Sequence, residues 1–265
     1  MTATKKYALI TGATSGIGLE LAKLFALDGY CLVIVARSQE ELDSTSQLLQ
    51  TAGSPEVITL AKDLFDTQAA FDIYKELKGK AITIDILVND AGQGLYGEFT
   101  ETSIERELAI INLNISSLVI LTKQFLIDMV ARGEGRILNL ASIAGKLPGP
   151  LQSVYHGTKA FVHSFTEAIR EEVKEKGVTI TSLLPGATAT DFFEKAGMTE
   201  SKVVQEGELD DAAQVAKDGY EALMSGKDMV ISGFKNKVQV GLSNITPDSA
   251  VAAKMHKQQA PAENA

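Results

Sequence analysis

A single cysteine in 265 residues, Cys31, rules out an internal disulfide, so no covalent cross-link organises this chain. That fits a reducing compartment, and a lone cysteine in an apolar run reads as a small core residue of a strand. Excess positive charge is also missing. The formal net charge of −9 argues against a nucleic-acid partner and gives no reason to expect an anionic membrane. No apolar leader precedes the first strand signal at Tyr7, and no later run reads as long and uncharged enough to span a bilayer. The expectation is a cytoplasmic protein with no membrane partner. His156, His163 and His256 lack spaced cysteine, histidine or carboxylate partners, so no metal site is expected. No repeat or linker divides the chain, which reads as one domain over residues 1–257 with a disordered tail at 258–265.

What is present is alternation. Short apolar runs at Tyr7–Thr11, Leu32–Ala36, Val57–Ala61, Ile84–Val88, 136–141, 178–184 and Met229–Ser232 read as strands. Helical patterns fall between them, at about Ile17–Asp28, Glu40–Ala52, Gln68–Leu77, Ile104–Ala131, 153–176 and Ala212–Met224. Residues 186–207 read as irregular, and the segment after Phe234 has no assigned role. Strands such as Leu32–Val33–Ile34–Val35 are apolar on both faces, the mark of a parallel sheet covered on both sides. The fold class is therefore α/β: a doubly wound, Rossmann-like, seven-stranded parallel sheet with helices on both faces.

Three stretches carry chemistry. Gly12, Gly16 and Gly18, with Thr14, Ser15 and Ile17 between them, form a glycine loop after the first strand and at the mouth of the first helix. Such a loop receives a pyrophosphate through backbone N–H groups and the helix N-terminus. Ser142 ends the run Arg136–Ala141, which places a hydroxyl at a strand tip. Tyr155 and Lys159, four residues apart on a helix, share one face. A lysine beside a phenol favours the phenolate, so the Tyr155 pKa is expected to fall below its usual ~10. His156, lying between the pair, points off their face and is expected to pack rather than to move protons.

With these motifs in one chain, the sequence resembles the compact branch of the short-chain dehydrogenase/reductase family over roughly residues 5–235. Asp63–Leu64 is similar to the family's adenine-contacting pair. Asn89, Ala91 and Gly92 match its Asn-Asn-Ala-Gly element, with Asp90 a departure at the second position. Pro185, Gly186, Thr188 and Thr190 resemble the segment at the nicotinamide end, and Asn114 falls where the family holds a water near the active lysine. The resemblance implies Asn114, Ser142, Tyr155 and Lys159 as the catalytic set. It implies hydride transfer between a nicotinamide cofactor and a carbonyl or secondary-alcohol substrate, and a homodimer or homotetramer.

Cofactor choice is read from the end of the second strand. Where a carboxylate would grip the 2′-hydroxyl of NAD, the chain has Ala36, Arg37 and Ser38, which favours NADP (NADPH). The substrate lining is expected from Gln93–Phe99, Ile143–Gln152 and Ala187–Glu208, with Leu95, Leu147, Phe192, Phe193 and Met198 apolar and Lys146 and Lys195 as anchors. For assembly, Ile110, Ile111, Leu118, Leu121 and Phe125 on one helix and Phe161, Val162, Phe165 and Ile169 on another exceed one core stripe. Two other readings remain at this point: a catalytically inactive nucleotide-binding regulator on the same fold, and a nucleotide-sugar epimerase or dehydratase.

Overall fold

The computed structural model of the chain describes residues 5–262. Its strands are β1 Tyr7–Thr11, β2 Cys31–Ala36, β3 Val57–Ala61, β4 Ile84–Asn89, β5 Gly135–Leu140, β6 Val178–Leu184 and β7 Met229–Ile231. Its helices are α1 Gly16–Leu27, α2 Gln39–Thr51, α3 Thr67–Gly79, α4 Ile104–Ile111, α5 Leu118–Arg132, α6 Ser153–Val173, α7 Phe192–Ala196, α8 Lys202–Gln205, α9 Ala212–Met224, α10 Phe234–Ser243 and α11 Asp248–Gln259. The strands make one seven-stranded sheet, all parallel, in the order β3-β2-β1-β4-β5-β6-β7.

Alternation along each strand fills two cores. Ala8, Ile10, Leu32 and Ile34 face Leu21 and Phe25 of α1, Leu42 of α2 and Val215 of α9. Leu9, Val33 and Val35 face Ile73 of α3 and Leu121 and Phe125 of α5. Each such side chain contributes about 1.5–3 kcal/mol on burial, so both faces must be apolar and both must be covered. The order reverses at β1, whose neighbours are β2 and β4. Connections from the tips of β1 and β4 therefore leave in opposite directions and open a crevice there.

The helix expected over Ile104–Ala131 is two helices joined by a π-helical stretch, Asn112–Ser117, with Asn114 inside it. The whole segment Ile104–Arg132, 29 residues, is long and apolar enough to cross a bilayer by length and composition, contrary to the expectation that no run is. Its apolar content has a local cause: Leu113, Leu121, Phe125 and Met129 pack on the central strands. The same packing removes most of the residues expected to be spare for assembly, because Ile110, Leu118, Leu121, Phe125 and Val162 are all core. The large apolar side chains that stay exposed on these helices are Ile104, Leu108, Ile127 and Phe161.

The expected disordered tail is corrected for residues 258–262. Gln258 and Gln259 end α11, the Tyr96 hydroxyl donates to the Gln259 carbonyl at 2.6 Å, and Pro261 bridges to Ser201. Val251 and Met255 of α11 pack on Leu147, which gives this polar-looking segment a core of its own. Residues 263–265 lie outside the described residues.

Candidate active site

The glycine loop turns off β1 with Gly12 at φ +71 and Gly16 at φ +56, a region that L side chains rarely adopt. Gly18 is glycine for space, since a Cβ there would stand 2.3 Å from the Gly12 carbonyl oxygen and 2.5 Å from Asp90 Oδ2. Beneath the loop, the buried Thr11 hydroxyl accepts from the Asp90 and Ala91 N–H groups, both at 3.1 Å, which ties β1 to the chain leaving β4. Above it, Thr190 Cγ2 lies 3.0 Å from where a Gly16 Cβ would be. The segment after β6 thus folds back across the loop.

A cleft of about 1070 Å³ runs across the strand tips. It is lined at one end by Gly12, Thr14, Ser15, Gly16, Ile17, Arg37, Ser38, Asp63 and Leu64, and in its middle by Ala91 and Gly92. At the inner end come Ser142, Tyr155, Lys159, Pro185, Gly186, Thr188 and Thr190. Three of the residues expected as catalytic or cofactor-binding do not line it. Gly18 sits behind the loop. Asn89 is buried and bonds Thr122 Oγ1 at 3.0 Å and Asn139 Oδ1 at 2.8 Å, a polar clasp from the β4 tip to α5 and β5. Asn114 is held by the Gln93 backbone and the Thr158 hydroxyl, its Nδ2 donating to each at 2.9 and 3.0 Å. The π-helical turn aims it at Gly92, where a Cβ would meet Asn114 Oδ1 at 3.4 Å and Lys159 Nζ at 3.3 Å.

Tyr155 and Lys159 do share a face of α6, with Lys159 Nζ 5.9 Å from the Tyr155 ring centroid. Their protonation differs from the expected picture. Burial pushes the phenol up to about 12, with the nearby Ser142 hydroxyl pulling it back in part. The same burial lowers Lys159 to about 8, offset in part by the Asp90 carboxylate. Lys159 is held by the Leu140 carbonyl at 2.7 Å, so its ammonium serves the strand tip as well as the ring. In the protein alone the phenol stays protonated, as a proton donor must. Ser142 donates to the Pro185 carbonyl at 3.2 Å and accepts from the Ala144 N–H at 3.1 Å, which fixes the hydroxyl beside the tyrosine. His156 packs as expected: its Nδ1 faces the Leu147 carbonyl at 2.8 Å and its Nε2 faces Gln259 Nε2 at 3.1 Å.

Asp90 stands where the family's element has its second asparagine. Its carboxylate is packed against the glycine loop, and burial raises it to about 7 despite Lys159 and a bond from the Gly18 N–H. At the outer end, Arg37 lies 5.6 Å and Arg106 5.7 Å from the Phe65 ring centroid, so the ring is shared by two guanidinium groups. Ser38 caps α2 by accepting from the Glu41 N–H at 3.2 Å, and Asp63 accepts from the Phe65 N–H at 3.1 Å. Each therefore has a backbone role besides any ligand.

The inner cleft is walled by Ile143, Leu147, Phe192, Phe193 and Met198. Phe192 lies 5.0 Å from the Tyr155 ring. Leu95, Phe99 and Lys146 are absent from the lining, while Lys195 is present. Asn236, Gln239 and Met255 of the last two helices complete the wall, and no pattern in the sequence points to them. Gln152, buried and one residue before α6, has its Nε2 donor without a partner. Among the described residues no group of histidine, cysteine and carboxylate side chains could hold a metal. The donor set fits a dinucleotide instead: glycines that admit backbone to a pyrophosphate, a cation at one end, and two hydroxyls with a lysine at the other.

The family model for short chain dehydrogenases matches residues 6–201. The chain is 39% identical over 191 residues to very-long-chain 3-oxoacyl-CoA reductase-A of Danio rerio, an alignment covering 70% of this chain and 59% of that longer protein. It is 31% identical over 246 residues to the ketoacyl reductase HetN of Nostoc sp., covering 93% and 81%. Among solved structures, a short-chain dehydrogenase from Sphingobium yanoikuyae in complex with NADPH superposes with a TM-score of 0.81 at 28% identity, covering 91% of this chain and 96% of that one.

Proposed function

The chain belongs to the short-chain dehydrogenase family, and on that premise we propose that it is an NADPH-dependent reductase of 3-oxoacyl thioesters with Tyr155 as proton donor. The observation that carries this reading is one cleft holding Ser142, Tyr155 and Lys159 at its inner end and Arg37, with no carboxylate at the end of β2, at its outer end. Relatives bearing the names of 3-oxoacyl-CoA and ketoacyl reductases support the substrate class, and the NADPH complex of a similar structure supports the cofactor. The apolar wall of Phe192, Phe193 and Leu147 suits an acyl chain. A 3-oxoacyl thioester also has a second carbonyl, and the unpartnered Gln152 amide is a donor of the kind it needs.

When bound, the nicotinamide supplies the hydride. Ser142, turning its one proton away from the Pro185 carbonyl, and Tyr155 donate hydrogen bonds to the substrate oxygen as it gains charge. Tyr155, kept protonated by burial, passes its proton to that oxygen. Lys159 stabilises the phenolate left behind and binds the cofactor ribose. Asn114 Oδ1 accepts from the Gln93 N–H at 3.0 Å and keeps a second lone pair for a water through which Lys159 and Tyr155 are reprotonated. Glycines 12 and 16 receive the pyrophosphate, and Arg37 pairs with the 2′-phosphate. A cytoplasmic location and homo-oligomerisation through α4, α5 and α6 belong to the same proposal, the second supported by exposed Ile104, Leu108, Ile127 and Phe161. The complete set of hydroxyls and lysine speaks against an inactive regulator.

NADPH consumption with 3-oxoacyl thioesters tests the reading. Tyr155→Phe is expected to leave cofactor binding nearly intact and to lower turnover by roughly 10²–10⁴-fold. Activity retained within a few-fold refutes the role of Tyr155. Reduction of simple ketones alone refutes the substrate class.

A further inference from the structure

The helix α10 has a face that neither the fold nor the reaction uses. Its inner side is accounted for: Asn236 and Val240 are buried, and Asn236 Nδ2 donates to Asp210 Oδ2 at 2.7 Å and to the Ser232 carbonyl at 2.8 Å. On the outer side Phe234 is 82% exposed, Val238 43%, Leu242 56% and Ile245, just past the helix end, 82%. At about 100° per residue these four fall within a stripe roughly 80° wide. Lys235 and Lys237 flank the stripe on its two sides by the same spacing. Single exposed apolar residues are ordinary, but a contiguous stripe of this size marks an interaction surface.

Charge points to what covers it. The chain as a whole carries −9, yet residues 232–262 contain Lys235, Lys237, Lys254 and Lys257 against the single acid Asp248. A second copy of the chain fits poorly, because self-pairing of this patch sets Lys235 and Lys237 against their own counterparts with no acid on α10 to separate them. An apolar stripe between two lysines is instead the form of a helix lying in a lipid interface. The stripe enters the headgroup–acyl boundary while lysine stems reach outward to phosphates.

We propose that α10 docks the protein peripherally on an anionic lipid surface, with Phe234, Val238, Leu242 and Ile245 inserted and Lys235 and Lys237 on the phosphates. The same helix supplies Lys235 and Gln239 to the cleft lining, so docking turns the cleft mouth to the lipid. Chain-wide charge argues against such a partner; its uneven distribution along the chain, with four lysines and one acid over residues 232–262, favours it for this segment. The docking stands apart from the choice of substrate.

Flotation of the full chain with phosphatidylcholine vesicles, with and without phosphatidylglycerol, tests it. Expected is binding to the anionic vesicles that weakens with salt, and little binding to phosphatidylcholine alone. The double variant Phe234→Glu/Ile245→Glu, altered only on the exposed stripe, should bind at least about tenfold more weakly while keeping its activity on a water-soluble substrate. A wild type that stays in solution overturns the proposal, whether or not it binds an acidic carrier protein. So does a double variant that floats as well as the wild type, or one that leaves vesicle binding unchanged and lowers the particle mass.

Discussion

Asp90→Asn offers a sharp test of the site's electrostatics. The Asp90 carboxyl is raised from an ordinary 3.8 to about 7, first because burial against the glycine loop strips its hydration, with Lys159 and the Gly18 N–H offsetting only part. A carboxyl whose folded pKa lies above its unfolded value stabilises the fold fully below the unfolded pKa and loses that contribution as pH rises through the folded one. The window is therefore from pH 3.8 to about 7. At about 1.4 kcal/mol per pH unit, the wild type forfeits on the order of 4 kcal/mol across it, an upper bound for a carboxylate that can relax towards the cleft. Asparagine keeps an acceptor for the Gly18 N–H and carries no charge. In cofactor-free protein, the variant should match the wild type near pH 4 and melt roughly 10 °C higher above pH 7. Lys159, lowered to about 8, has the opposite sign; because Asp90 holds it up in part, the substitution lowers it further and adds to the variant's advantage at high pH. Melting by scanning fluorimetry between about pH 4 and 8.5 reads it. A difference that does not change with pH, or a variant less stable at pH 8, refutes the reasoning.

Two further outcomes follow from the outer cleft and the helical face. Arg37→Asp should weaken NADPH and shift the NADPH-to-NADH preference by about ten- to hundredfold, since a charged hydrogen bond is worth roughly 1.5–3 kcal/mol. Fluorescence titration measures it, and equal binding of both cofactors by the unmodified protein sinks the assignment of Arg37. Light scattering at micromolar concentration should give at least a dimeric mass, reduced by Leu108→Glu on exposed α4; a monomeric wild type contradicts assembly through α4, α5 and α6.

The sequence by itself determined the sheet and which candidate groups share a turn or a helix face. Short runs apolar on both faces and bounded by turn residues read as buried strands, so Tyr7–Thr11 and its successors were legible, with β1, β3 and β6 matching to the residue. The glycine loop and the Tyr155–Lys159 pair were legible because local spacing fixes which groups share a turn or a helix face. Tertiary structure decided what spacing does not encode. The π-helical turn at Asn112–Ser117 depends on how the chain threads between α4 and α5, and it alone aims Asn114 at Gly92 and Lys159. Protonation of Tyr155 depends on how much water surrounds it, and burial raises its pKa with only the Ser142 hydroxyl opposing, where the four-residue spacing to Lys159 suggests a fall. Asn89 and Gly18 carry the family's motif, yet packing turns the one into the core and places the other behind the loop. In 234–243 the spacing of Phe234, Val238 and Leu242 marks one apolar face and 248–259 carries little apolar periodicity, so only the packing of Val240 beside Leu184 and of Val251 and Met255 beside Leu147 shows which side each helix turns inward.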